Sequence, residues 1–460
     1  MLHPIQRRRF LQGSTQLAVG TFLAKADEDK VPDYYLPGQR GYETARRPFN
    51  ADIDLKPGII AACENDSHVV TAVNRARAEG LPVAVKSRGH SFEGFSLNEG
   101  GLVVELSRIA QPVLMTGGRF LSGPGMPLGD VYSFLLPKGR LLPAGSCSGV
   151  GLGGLTLGGG YGLFSRQFGL TCDHLERVRM VDGLGRIVDS AEDPDLLWAC
   201  RGGGNGNFGA ITAMEFRTVP APPLLSARRF KAGPVSVAES IRLAEHWFAM
   251  AEGLPDPIFS AFVLNGEQIT VLLTSTGPHT GPAFVGASAA LQTAGFASKG
   301  PTRGPLQEAI KRYYGVQTPL PFRNFCGGMA NRFADYAPAL PSVFEEAQRT
   351  GLIIQFNTLG GMISRGDDGA YPHRDQKFLC EVQAYWETPA QRESKITGTA
   401  KVRESLAAEV SAHYRNYPSV SFRNWEEAYY GGNYAKLQAL KQRYDPENLF
   451  RHPQSIRLPA

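Results

Sequence analysis

Residues 144–162 read AGSCSGVGLGGLTLGGGYG, and nine of these nineteen are glycine. Glycine stabilises neither helix nor strand, so a run this dense belongs where backbone must take positive φ or approach something closely. Successive free N–H groups in such turns form concave nests for anionic oxygens, and missing side chains let a planar ring lie against the main chain. Val150, Leu152, Leu155, Leu157 and Tyr161 are interleaved with the glycines and want burial, which a flexible linker would not provide. One thiol, Cys147, heads the run. Gly149, Gly151 and Gly154 match the G-x-G-x-x-G of dinucleotide-binding turns, as do Gly204, Gly206 and Gly209. That pattern must follow a strand and open a helix. Pro143 stands before the first match and further glycines follow it, which predicts no helix there and argues against a nicotinamide-type fold.

Outward from this run, 460 residues exceed one ordinary core and predict two interlocked domains. Hydrophobic residues at 42% and charged residues at 20% are ordinary globular composition. The formal net charge is +5, but residues 1–26 hold Arg7, Arg8, Arg9 and Lys25 with no acid, so the remainder is nearly neutral. A nearly neutral mature chain argues against nucleic acid or an anionic membrane as the main partner. The N-terminus, QRRRFLQGSTQLAVGTFLAKA, has a basic head, a modest apolar stretch and a small-x-small site at Ala24-Lys25-Ala26. It predicts a twin-arginine signal peptide over 1–26, hence the twin-arginine export machinery as a partner and a periplasmic or secreted location. Gln12, Gly13, Ser14, Thr15 and Gln16 interrupt the apolar stretch, which falls short of the roughly 20 residues a membrane span needs. The mature form is expected to have no span. Six cysteines (Cys63, Cys147, Cys172, Cys200, Cys326 and Cys380) stand apart with no C-x-x-C pair, so neither a metal site nor a dense disulfide framework is expected.

Along the chain, residues 27–50 read as an extended entry segment. Ser67 is expected to cap a helix running to 77, followed by a strand at 81–86 that ends in the turn Ser87-Arg88-Gly89-His90-Ser91. Strands are predicted at 101–109 and 211–219, a hairpin at 179–188 around Asp182-Gly183, and a helical turn at 195–200 leading into RGGGNGNFG at 201–209. Pro220-Ala221-Pro222-Pro223 marks a boundary. Beyond it, helices are predicted at 235–252, 284–296, 306–314, 389–413 and 425–444, and strands at 258–264, 269–274, 352–363 and 378–386. On the last strand Leu379, Glu381, Gln383 and Tyr385 share one face, so a carboxylate and an amide look the same way.

Two glycine clusters, an R-G-H-S turn, and a cysteine upstream of G-G-G-Y-G are together far more specific than any one alone. With YPHR at 371, YRNY at 414 and the ending YDPENLFRHPQSI, the sequence resembles the berberine bridge enzyme-like branch of the vanillyl-alcohol oxidase flavoproteins. The resemblance implies an α+β fold: a two-part PCMH-type FAD-binding domain over 40–220 and a substrate-binding domain over 221–413, its antiparallel sheet flanked by helices. Residues 414–460 would return to the FAD domain. It also implies FAD bound covalently twice, through His90 to the 8α carbon and through Cys147 to carbon 6 of the flavin. Lys86, Ser87, Arg88, Gly89, Ser91, Gly151, Gly154, Gly159, Gly160, Gly162, Asn207, Gly209 and Asn416 would complete the cofactor site. Arg88 stands where the family usually has glycine, either meeting the pyrophosphate or marking a loop of different course.

The implied reaction passes a hydride from a substrate alcohol or carbohydrate carbon to the flavin while a base takes the hydroxyl proton. Tyr417, with Tyr414 beside it, matches the family's active-site tyrosine, and Glu381 is a second candidate base, two residues after the position some relatives use. A tyrosine base needs nearby positive charge or strong hydrogen bonds to work at neutral pH. Val150 resembles the small gate residue that admits dioxygen, which favours an oxidase forming hydrogen peroxide from O2. A dehydrogenase with another acceptor, and an exported flavin- or carbohydrate-binding protein without turnover, remain alternatives. A small molecule or oligosaccharide is the expected substrate.

Overall fold

The computed structural model describes residues 31–366 and 369–460; the predicted leader lies outside the described residues. Among the described residues three larger sheets organise the chain, beside a two-stranded pair of Arg140–Leu141 with Val219–Pro220. The first orders Asp33–Tyr35, Ile59–Ala62, Leu102–Glu105 and Val83–Lys86, with the last three parallel to one another and the first antiparallel to its neighbour. Parallel strands need covered faces, and the Asp66–Ala78 helix supplies one through Val69, Ala72, Val73 and Ala76. The second sheet is antiparallel, with Gly209–Arg217 between Arg119–Ser122 and Leu175–Asp182. Val181 and Ala210 of this sheet share a core with the first sheet and with Leu449 and Phe450 of the C-terminal tail. The tail is fixed there by the Val83 N–H, which donates to the Leu449 carbonyl at 2.8 Å.

The third sheet runs Ala297–Ser298, Leu224–Ala232, Gln268–Ser275, Ile258–Asn265, Ile353–Thr358, Phe378–Tyr385 and Phe322–Ala330, with Thr302–Pro305 also beside Leu224–Ala232. The helices Val237–Glu252, Leu340–Thr350 and Pro389–Ala407 cover one of its faces. Period-two alternation decides which residues meet them. Phe378, Cys380, Val382 and Ala384 join Phe356, Trp247 and Phe344 in the largest core, while Leu379, Glu381, Gln383 and Tyr385 point the other way, toward the FAD-binding lobe.

Several local expectations are corrected. A helix does open inside the glycine run, at Leu152–Leu157. Leu152, Thr156 and Leu157 bury, and position 153 takes glycine because a Cβ there would lie 2.6 Å from Pro124. Among the described residues the strands after it pair antiparallel, so the dinucleotide-type reading still fails. The cap of the Asp66–Ala78 helix is Asn65, whose Oδ1 accepts from the His68 N–H at 2.9 Å, not Ser67. The entry segment contains a short helix, Tyr42–Arg46. The strand expected over 101–109 stops at Glu105, whose carboxylate accepts from the Ser107 N–H and hydroxyl and turns the chain. The 352–363 strand ends at Thr358 and gives way to a 3-10 turn, and the 306–314 helix is a single α turn continued as 3-10. The 389–413 helix ends at Ala407, after which Ala412 bridges to Met329. The last helix is broken into Trp425–Tyr430 and Tyr434–Tyr444 where Gly431 takes φ +50. A strand, Phe322–Ala330, and a helix, Leu340–Thr350, were not expected.

Candidate active site

The turn after Val83–Lys86 presents His90. Gly89 makes the turn at φ +71, the Ser87 hydroxyl donates to the Pro124 carbonyl at 2.6 Å, and the Ser91 hydroxyl accepts from the Phe95 N–H at 3.0 Å. Phe49 stacks on the imidazole with centroids 4.2 Å apart. Burial, then the Arg88 guanidinium, pushes the His90 pKa down to about 4, so the ring is neutral and its nitrogen lone pair available at neutral pH. Arg88 itself is exposed, with its stem where a Cβ on Gly151 would be, 2.8 Å from Cγ. A Cβ on Gly149 would lie 3.0 Å from His90 Nε2, so the cysteine loop lies against the histidine.

Cys147 is the one exposed cysteine among six free thiols. Its surface is open, but the surrounding protein, then the negative charge of Glu381, pushes the thiol up to about 11. That is the opposite of the shift an activated thiolate shows. The loop is anchored behind it by the Tyr132 hydroxyl, 2.9 Å from the carbonyls of Ala144 and Gly145. Val150 is half-buried at the end of the loop, its carbonyl accepting from the Leu128 N–H at 2.9 Å.

The expected glycines divide by what surrounds them. Gly154 faces open space, whereas Gly162 packs against the Ala144 carbonyl and Gly209 against that of Val181, where a Cβ would sit at 2.1 and 2.3 Å. Gly159 and Gly160 have φ of +118 and +83, and Gly160 donates its N–H to the Tyr414 hydroxyl at 2.9 Å. Asn416 is central: its Nδ2 donates to the Leu155 carbonyl and to the Tyr414 hydroxyl at 2.9 and 3.0 Å, and its Oδ1 accepts from Asn205 at 3.1 Å. Two expected cofactor residues are occupied within the protein. The Lys86 ammonium donates to the Ala45 and Arg47 carbonyls, and Asn207 is bonded through its side chain to the Gly203 carbonyl and the Ile456 N–H. His373 lies 2.8 Å from the Ala428 carbonyl and Arg374 pairs with Asp173, so YPHR ties structure together.

The facing wall comes from the third sheet. Tyr161, from the glycine run, lies with its hydroxyl 2.9 Å from that of Tyr417 and accepts from Asn357 Nδ2 at 3.3 Å. A continuous polar strip follows across the strands: Gln355 to Asn357 at 2.8 Å, Gln383 to Gln355 at 3.3 Å, Tyr385 to Gln383 at 3.3 Å, and Asn324 to Tyr385 at 2.9 Å. Phe92 stacks on Tyr417 with centroids 5.1 Å apart. Glu381 is 6% exposed, cross-strand from Gln355 and Cys326, and burial pushes its pKa up to about 8, with Gln383 the opposing hydrogen bond. Tyr417 and Tyr161 are pushed well above the ordinary tyrosine value by burial and by the negative charge of Glu381; Tyr414, held by Asn416 and Gly160, reaches about 12. Among the described residues the causes acting on Tyr417 include no cation, so of the candidate bases the carboxyl of Glu381 titrates nearest neutral pH. Tyr161, Gln355, Asn357 and Asn324 were missed as site residues, although the alternation that placed Glu381 and Gln383 applies equally to Gln355 and Asn357.

The residues fit an FAD. A neutral imidazole and a thiol open to solvent flank a glycine surface with free space at Gly154, and Asn205 keeps a buried Oδ1 that no hydrogen bond within the protein satisfies. Among the described residues no group of three or more His, Cys, Asp or Glu is arranged to hold a metal, and no helix is long and apolar enough to cross a membrane.

Family profiles match this chain twice, as an FAD binding domain over 57–191 and as a berberine and berberine-like segment over 413–457. An uncharacterized FAD-linked oxidoreductase of Bacillus subtilis is 31% identical over 428 residues, spanning 90% of this chain and 94% of that protein. A chitooligosaccharide oxidase of Gibberella zeae is 31% identical over 493 residues, spanning 96% of this chain and 94% of its own length. A solved chitooligosaccharide oxidase structure superposes with a TM-score of 0.84 at 27% identity, over 96% of this chain and all of that one.

Proposed function

The chain belongs to the berberine bridge enzyme-like FAD-linked oxidoreductases, and from that premise we propose that it is an exported oxidase of carbohydrate hydroxyls carrying FAD on both His90 and Cys147. The observation that carries the reading is the polar strip opposite the glycine run. Hydroxyl- and amide-bearing side chains from Asn324 to Tyr417 line one wall with Glu381 among them, a surface suited to a polyhydroxylated substrate. The chitooligosaccharide oxidase relatives support that substrate class, and Val150 supports dioxygen as acceptor. The leader sequence supports export to the periplasm or beyond.

The flavin, when bound, supplies a two-electron acceptor for the hydride. Ionised as the pH rises toward 8, Glu381 accepts the proton of the hydroxyl being oxidised. Tyr417 and Tyr161 stay protonated and orient that hydroxyl, while Tyr414 holds Gly160 and Asn416 in place. Burial by Phe92 and the tyrosines keeps water from competing for these groups.

The test has two steps. Acid-denatured protein should keep its yellow colour in the precipitate, and peptide mapping should place flavin on both His90 and Cys147. Anaerobic mixing with oligosaccharides should bleach the flavin, with stoichiometric peroxide on admitting air. Colour released to the supernatant would sink the tethers. Bleaching without fast reoxidation would make the enzyme a dehydrogenase.

A further inference from the structure

Residues 314–322 enter the strand Phe322–Ala330 from the 3-10 turn Ile310–Tyr313, and they run past both nucleophiles. At one end, the Ser148 N–H donates to the Tyr314 carbonyl at 3.0 Å and the Ser148 hydroxyl donates to Gln317 Oε1 at 2.7 Å. Gln317 is itself fixed, its Nε2 donating to the Tyr314 and Gly315 carbonyls at 3.1 Å each. Gly315 takes φ +71, and a Cβ there would lie 3.4 Å from the Cys147 sulfur. From the opposite lobe, the Gly129 N–H donates to the Ser148 carbonyl at 2.9 Å. At the far end, the Leu320 N–H donates to the Phe49 carbonyl at 3.2 Å, and Phe49 stacks on His90.

Cys147 has Gly145 and Gly149 two residues to either side, and its carbonyl accepts only the local Val150 N–H at 3.2 Å among the described residues, so Ser148, the neighbour held from both lobes, decides where the sulfur sits. We propose that Gln317, acting through Ser148, is a positioning residue for the attachment of Cys147 to the flavin, so that the substrate lobe sets this tether; the inference rests on the doubly linked reading above. In the attachment a bond forms between Sγ and carbon 6, the S–H and C–H bonds break, and the two protons and two electrons pass to dioxygen as hydrogen peroxide. A displacement of the order of 1 Å costs such a step about 100-fold. His90 is steadied by the Phe49 stack at the other end of the segment, so its tether does not depend on Gln317.

The experiment compares flavin occupancy of the Cys147 and His90 peptides, by mass spectrometry of digested holoprotein, in native protein, Gln317→Leu, Ser148→Ala and the double variant. Gln317 is exposed and its replacement leaves the cores untouched. Expected is a loss of at least about tenfold in Cys147 occupancy in Gln317→Leu, with the thiol now open to alkylation and His90 occupancy unchanged. Ser148→Ala should match it, and the double variant should lose no more than either single, because all three break the Ser148–Gln317 bond through which the sulfur is placed. Full Cys147 linkage in Gln317→Leu overturns the inference while leaving the doubly linked reading intact. Native protein with an unmodified Cys147 overturns that reading itself, and the inference with it.

Discussion

The two faces of the Phe378–Tyr385 strand both bury residues away from water and hold them in opposite ways. On the helix side, Phe378, Cys380, Val382 and Ala384 meet Trp247, Phe248 and Phe356 as a close-packed apolar core. On the flavin side, Glu381 at 6% exposed is nearly as buried as Val382 at 0% on the helix side, yet Glu381 lies among hydrogen-bonded amides and hydroxyls with its pKa lifted to about 8. Burial on the first face stabilises the fold; burial on the second opposes the charged state of a carboxyl and stores that cost for chemistry. A single eight-residue strand thus separates what keeps the molecule folded from what makes it react.

The contrast is broken most forcefully by Phe378→Ala, which empties a site packed against Trp247 and Phe248 and should cost about 3–5 kcal/mol. Thermal unfolding of the flavin-loaded protein should register it, while turnover per folded molecule stays close to native. A comparable fall in turnover at low temperature would show that the helix face is not separate from the site. Glu381→Gln should do the reverse. Catalytic efficiency falls by at least about 100-fold if this carboxyl takes the proton, measured as anaerobic flavin reduction, and the fold does not weaken.

The same variant sharpens the comparison through pH. A carboxyl raised from 4.5 to about 8 keeps its proton in the folded protein over a range in which the unfolded chain has lost it. Native stability relative to Glu381→Gln is therefore highest below about pH 4.5, falls as pH rises toward 8, and stays low above, at a slope of at most about 1.4 kcal/mol per pH unit. Denaturant titrations of both proteins across that window decide it. A gap independent of pH would mean that folding leaves the carboxyl's hold on its proton unchanged.

Much of this layout was legible before any coordinates. Alternation placed Glu381 and Gln383 together because the strand has no bulge, whereas His90 and Cys147 were singled out by the family resemblance that the surrounding motifs carry. The neighbouring strand Phe322–Ala330 escaped because a register shift between Cys326 and Gly328 breaks its alternation at a Gly-Gly pair, and Asn324 escaped with it. The helix within the glycine run was illegible for a related reason: its stability comes from Leu152 and Thr156 burying beside Pro124, a tertiary effect that overrides local propensity. Tyr161 was recognised only as a residue wanting burial, since nothing near it in the chain announces that its hydroxyl meets Tyr417, 256 positions away.

That hydroxyl gives the smallest and most discriminating test. Tyr161→Phe keeps the ring that packs edge-on against Tyr414 and Tyr417 and removes one oxygen, so the apolar share of the contact survives. Tyr417 loses its 2.9 Å partner and Asn357 loses an acceptor at 3.3 Å, each in a buried setting. Leaving such groups unmatched costs about 1–3 kcal/mol, and a flavin-side face built for chemistry should show that cost as a misplaced substrate hydroxyl. Turnover should fall about tenfold, equivalent to roughly 1.4 kcal/mol, with a smaller change in KM and little change in melting temperature. If the melting temperature fell and turnover held, Tyr161 would belong with Phe378 as a packing residue, and the line between the two faces would have to be drawn elsewhere.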